Sequence, residues 1–152
     1  MKTPLLLLAA FAAAPLLAEI EQTATVASPD GRLVVTIQNL HGQPTYNVTY
    51  DGIEAIKTSS LGLTTNEQDL THRLALSNTT SSKIDEQYDL ERSKVSHVHY
   101  VANRLVCDFA DAWGHNQLQL ELRVSNNDIA MRYLLPKVGE TGSVRVTGEA
   151  TS

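Results

Sequence analysis

Cysteine is almost missing: Cys107 is the single one in 152 residues. One thiol cannot form an intramolecular disulfide framework or a cysteine-based zinc cage. It lies in the apolar run Leu105, Val106, Cys107, Phe109 and reads as a buried small hydrophobe rather than a reactive thiol. Basic residues are few and scattered, 12 Lys and Arg against 17 Asp and Glu, for a net charge of -5. Nucleic acid is excluded as a partner on that ground, because phosphate binding needs clustered cations. Aromatics are only 5% of the chain, so any stacking surface must be made by a few residues. There is no glycine-rich phosphate loop, no nucleophile elbow and no recognisable Ser/His/Asp motif. Apolar residues still reach 42%, a globular share, and the length suits one domain rather than two.

Long apolar runs are confined to the start. Lys2 precedes a small and apolar run from Pro4 to Ala18. A membrane span needs ~20 apolar residues, and this run is shorter. It reads as a secretory signal peptide, residues 1–18, cleaved after Leu16-Leu17-Ala18. No cysteine follows it to carry a lipid, so no membrane anchor is expected. The mature chain, 19–152, is expected outside the cell or in a bacterial periplasm.

What fills the mature chain is alternation at period two. Leu33, Val35 and Ile37 share one strand face, after the turn Ser28-Pro29-Asp30-Gly31. Tyr46, Val48 and Tyr50 share the next, and Asp51-Gly52 is a hairpin turn. Leu74 and Leu76 mark a short strand after the polar stretch Thr64 to Asp69. Val95, His97, His99 and Val101 alternate, and Asn103 is expected to turn the chain into Leu105 to Phe109. Leu118, Leu120, Leu122 and Val124 oppose Gln117, Gln119, Glu121 and Arg123. Asn126-Asn127-Asp128 is a tight turn. Ile129, Met131, Tyr133 and Leu135 return, Pro136 ends that strand, and Val144 and Val146 begin another. No helix is expected. Short strands with polar turns predict an all-β antiparallel β-sandwich. The last strand, Ser143 to Ser152, runs to the end of the chain. It is either a sheet edge or a sign that the sequence is a piece of something longer.

Few constellations suggest chemistry. His97 and His99 share a strand face and could share a metal, but a zinc site needs about four ligands and no third is evident. Two polar residues on a half-exposed strand is the plainer reading. Carboxylates at Asp85, Glu86, Asp89, Glu91, Asp108 and Asp111 could include a glycosidase pair or simply make an acidic surface. Asn47-Val48-Thr49 and Asn78-Thr79-Thr80 are glycosylation sequons. Trp113, Tyr88, Tyr100 and Tyr133 could stack on sugar rings or pack in the core. Tyr133 reads as core by its alternation. Trp113, in the turn-like Asp111-Ala112-Trp113-Gly114, is the best exposed candidate for substrate binding.

The order of these motifs carries a resemblance. Ser28-Pro29-Asp30-Gly31, Tyr46-x-Val48-x-Tyr50-Asp51-Gly52 and Ser60-Leu61-Gly62-Leu63 come first. Ile84-Asp85-Glu86-Gln87-Tyr88 and Asn103-Arg104-Leu105 follow. Then come Leu122 to Tyr133 with Pro136, and Gly148-Glu149-Ala150-Thr151-Ser152. Together they resemble the N-terminal domain of glycoside hydrolase family 97, over nearly the whole mature chain. The resemblance implies part of a β-super-sandwich from a secreted or periplasmic bacterial α-glucosidase or α-galactosidase. It implies a catalytic (β/α)8 barrel as partner, an α-linked oligosaccharide as substrate, and calcium in the active site of the full-length enzyme. Glu149, in a motif like Glu-Ala-Thr, would be one calcium ligand. The acid and the base or nucleophile would belong to the barrel. No catalytic residue and no bound cofactor are therefore expected in this chain alone. The competing expectation is a free-standing carbohydrate-binding module.

Overall fold

The computed structural model describes residues 22–91, 97–137 and 143–151. The expected signal peptide, residues 1–18, lies outside them, as does Val95. The described residues form strands and no helix: β1 (Gln22–Ala27), β2 (Leu33–Leu40), β3 (Gln43–Tyr50), β4 (Ile53–Ser60), β5 (Leu63–Thr65), β6 (Ala75–Asp89), β7 (His97–Ala110), β8 (Asn116–Val124), β9 (Ile129–Leu134) and β10 (Val146–Glu149). Two antiparallel meanders, β1-β2-β3-β4 and β6-β7-β8-β9, make the sandwich, and β10 pairs antiparallel with β5 in a small third sheet.

Local chemistry sets the hairpins. β2 and β3 are joined by His41-Gly42, with φ of 51° and 78°, and β3 and β4 by Asp51-Gly52, with φ of 50° and 77°. Two successive positive φ values match the right-handed twist of the flanking strands, and Gly and Asp tolerate them. Arg32 reinforces the second turn with a forked pair to Asp51 at 2.9 and 2.7 Å. At the far end of the other meander, Ser125 Oγ accepts from the Asn127 and Asp128 amides at 3.2 and 3.1 Å.

Alternation then builds the core. Val26, Val35, Ile37, Tyr46 and Val48 point inward from one sheet; Leu105, Cys107, Phe109, Leu118, Leu120, Leu122 and Val124 point inward from the other. Leu61, Leu63, Leu70, Leu74 and Leu76 close the end. Burying a side chain of Leu or Phe size is worth about 1.5–3 kcal/mol, so this cluster dominates stability. Asn103 Nδ2 donates to the Ala27 carbonyl at 2.8 Å and ties the two sheets together.

Two sequence expectations are corrected here. The strand marked by Leu74 and Leu76 is not short: β6 has 15 residues. It is an edge strand with mostly exposed side chains, so the run from Ser77 to Lys83 has no apolar period to announce it. Asn103 does not turn the chain. β7 runs unbroken from His97 to Ala110, and the Asn103 amide serves the inter-sheet bond instead. The opposite edges, β4 and β9, leave the sandwich open on one side. A cavity of about 130 Å3 enters the core there, lined by Ile56, Leu61, Ile129 and Met131 among others.

Candidate functional site

Glu149 is held by a clasp at the end of the sandwich. Gly62 is its pivot. Its φ is 132°, and a Cβ there would lie 2.4 Å from the Leu70 carbonyl oxygen. Only glycine fits that backbone and that approach. The Gly62 amide donates to the Tyr133 hydroxyl at 3.0 Å, and its carbonyl accepts from the Ala150 amide at 3.0 Å. The Tyr133 hydroxyl also meets Thr151 Oγ1 at 2.9 Å. Having accepted from Gly62, that hydroxyl can donate to Thr151. Burial pushes the Tyr133 phenol above its usual range, which keeps it neutral and able to donate. Glu149 itself sits opposite Leu63 in the β5–β10 ladder, with its carboxylate exposed. The segment 149–151 is therefore a fixed platform with one carboxylate on it.

A single carboxylate does not fit calcium, which takes 6–8 oxygens. Among the described residues, no group of three or more His, Cys, Asp or Glu is placed to hold a metal. His97 and His99 do not converge on a shared third ligand. Each pairs with its own carboxylate on the neighbouring strand, His97 with Asp89 at 2.8 Å and His99 with Asp85 at 2.7 Å, both exposed.

Trp113 stands at the tip of the β7–β8 hairpin and is 83% exposed. Asp111 builds that tip by accepting the Trp113 and His115 amides on Oδ1, both at 2.9 Å. The turn fixes the backbone that carries the indole. Tyr133 is half-buried against the core and belongs to the clasp. Of the sequons, Asn47 lies half-buried within β3, and Asn78 lies on β6 with its amide donating to Asp108 at 3.0 Å.

Sequence reasoning missed one feature. The outer face of the β6–β9 sheet buries Glu121, 2% exposed, under three guanidiniums. Arg104 Nε and Arg123 Nε donate to Oε1 at 2.8 and 3.0 Å, while Arg132 donates from Nε and Nη2 to Oε2 at 2.9 and 2.5 Å. These bonds, Arg104's first, outweigh burial and lower the carboxyl pKa to about 2. The signal was present in the pattern: Glu121 and Arg123 share the polar face of β8, opposite the apolar one.

Two four-stranded antiparallel meanders and a short third sheet, all of strands among the described residues, define an all-β sandwich domain. The family model described as Glycosyl-hydrolase 97 N-terminal matches residues 26–152, and the chain belongs to that family. A crystal structure of a β-arabinopyranosidase is similar at 40% identity, with TM-score 0.78, over 84% of this chain and 20% of that one. A glycoside hydrolase family 97 enzyme from Pseudoalteromonas sp., solved with panose, is similar at 20% identity and TM-score 0.76, over 84% of this chain and 20% of that one. The same values hold for that enzyme with acarbose. The chain thus spans about a fifth of the length of these solved structures. A comparison with curated proteins finds no match.

Proposed function

We propose that this chain is the non-catalytic N-terminal part of a secreted α-glycosidase that hydrolyses terminal α-linked glucose or galactose. It supports a (β/α)8 barrel and lends that barrel one wall of the active site. The observation that carries this reading is the Gly62–Tyr133–Thr151 clasp, which fixes Glu149 on a rigid ladder within a matched family domain. Glu149 would supply one carboxylate to a calcium ion whose remaining ligands come from outside this chain. Residues 1–18 would direct export to the bacterial periplasm. The relatives' names support pyranoside hydrolysis as the class. One is a β-arabinopyranosidase, and another was solved with panose and with acarbose.

Two measurements test it. Incubated with aryl α-glucoside or aryl α-galactoside and calcium, the chain alone should give no turnover above buffer; turnover would refute the non-catalytic assignment. Joined in one polypeptide to a family 97 barrel, Glu149→Gln should weaken calcium binding by calorimetry without changing the circular dichroism spectrum. Unchanged calcium affinity would remove Glu149 from the metal site.

A free-standing carbohydrate-binding module is the second reading, favoured by the 83% exposed indole of Trp113. It requires maltooligosaccharide binding that Trp113→Ala weakens. Calorimetry showing no heat on titration would exclude it.

A further inference from the structure

The Arg104–Arg123–Arg132 cluster has more positive charge than its core needs. Three guanidiniums surround one carboxylate, a local excess of two positive charges on a chain whose net charge is -5. Each guanidinium has five N–H donors. Among the described residues, Arg104 and Arg123 each use only Nε on Glu121, and Arg132 uses Nε and one Nη2 donor. The terminal nitrogens of Arg104 and Arg123 face outward from side chains that are 32% and 34% exposed, and Arg132 is 60% exposed. Glu121 fixes the orientation of all three, so these donors are pre-organised rather than floppy. Outward forks of this kind match the planar geometry of a carboxylate.

The surroundings point to more than charge. Beside the cluster lies a cavity of about 300 Å3, lined by Glu121, Arg123, Ala130, Met131 and Arg132. Tyr100 shares this sheet face two pairs along β7 from Arg104; burial, then the Asp128 carboxylate, push its phenol above the usual range, with Arg123 acting the other way and Glu86 opposite it on β6 adding to the rise. Tyr88, 45% exposed, follows on the same face of β6. Thr80 and Ser82 add hydroxyls from β6, in the same cross-strand rows as Val106 and Arg104. Aromatic faces suit the C–H face of a sugar ring, hydroxyls suit its hydroxyls, and the arginine forks suit an acidic substituent.

We propose that the outer face of the β6–β9 sheet binds a sugar acid, a hexuronate residue, with its carboxylate on Arg123 and Arg132 and its ring toward Tyr100. This goes beyond the reading above, which concerns neutral sugars and the opposite use of the chain as a barrel support. The test is an NMR or calorimetric titration of the full chain at low salt with galacturonate and glucuronate oligosaccharides, maltotriose as neutral control and inorganic phosphate as charge control. The uronate should bind, maltotriose should not, and added salt should weaken binding because exposed charges are screened. Arg132→Gln should lower affinity at least about tenfold, the size of one charge-assisted hydrogen bond. Because Arg132 is exposed, that variant should keep the wild-type dichroism spectrum. Tyr100→Leu should weaken uronate binding but not phosphate binding. Failure of any uronate to bind, equal binding of maltotriose, or phosphate binding as tightly as uronate would each overturn the proposal.

Discussion

Replacing Glu121 with glutamine keeps the shape of the side chain and removes its charge. The three guanidiniums then converge on a neutral amide. The folded-state pKa of about 2, against an ordinary 4.5, corresponds to ~3 kcal/mol of stabilisation of the ionised form. The outer ends of the arginines reach solvent, which screens part of their mutual repulsion, so the expected loss is ~2–3 kcal/mol at neutral pH. The folded pKa lies below the unfolded one. The contribution is therefore complete above pH ~4.5 and lost as pH falls through about 2. At pH 3 roughly half of it should remain, ~1.5 kcal/mol. Urea unfolding of wild type and Glu121→Gln, followed by far-UV circular dichroism at pH 7 and pH 3, measures both numbers. A variant within ~0.5 kcal/mol of wild type at pH 7 would refute the reasoning, since that is the scatter of ordinary surface changes. So would a gap that does not shrink at pH 3.

Three further outcomes follow from the geometry. Gly62→Ala should cost ~3 kcal/mol or more, because its Cβ would strike the Leu70 carbonyl, whereas Gly31→Ala, with open space around it, should cost ~1 kcal/mol; thermal melts that rank them the other way would contradict the clasp. Tyr133→Phe should cost ~1–2 kcal/mol and speed amide hydrogen exchange at Gly62 and Ala150, and unchanged exchange there would show that the hydroxyl is not the latch. Cys107, 0% exposed and with its thiol pKa pushed up to about 12 by burial, should resist thiol reagents until the protein unfolds; rapid labelling of native protein at neutral pH would disprove its burial.

Legibility in the sequence follows how sharply burial alternates. β8 places Leu118, Leu120, Leu122 and Val124 in the core and alternates them with polar residues, so Leu118 to Val124 could be read directly. β2 and β3 were readable for the same reason, with their turns announced by Asp51-Gly52 and Ser28-Pro29-Asp30-Gly31. β4 and β6 are edge strands whose side chains are mostly exposed, so hydrophobicity has little to say along them. β1 escaped because Thr23 and Thr25 flank only Ala24 and Val26 as inward positions. The clasp could not be derived by spacing: Gly62, Tyr133 and Thr151 lie on three segments that only the fold brings together. Glu149 was reached through family resemblance alone. The arginine cluster was visible as charges on a polar face, but its convergence depends on the β7–β8–β9 register, which pairs Glu121 with Val106 on one side and Arg132 on the other.

The β5–β10 ladder also bears on the order of folding. Both meanders close through neighbouring hairpins, each a short loop with little entropy to overcome. The third sheet is different: Thr147 reaches the Thr64 carbonyl across 83 residues, and the Ala150 amide reaches the Gly62 carbonyl. A chain emerging from the ribosome can fold both meanders before β10 exists, but Leu63 to Thr65 must wait beside them without a partner. Among the described strands, β10 is the last to be synthesised, so the platform under Glu149 cannot pair before both meanders are available. The Ala150–Gly62 bond therefore ties the first half of the chain to the end of its last described strand, a contact of high sequence separation and correspondingly high closure cost.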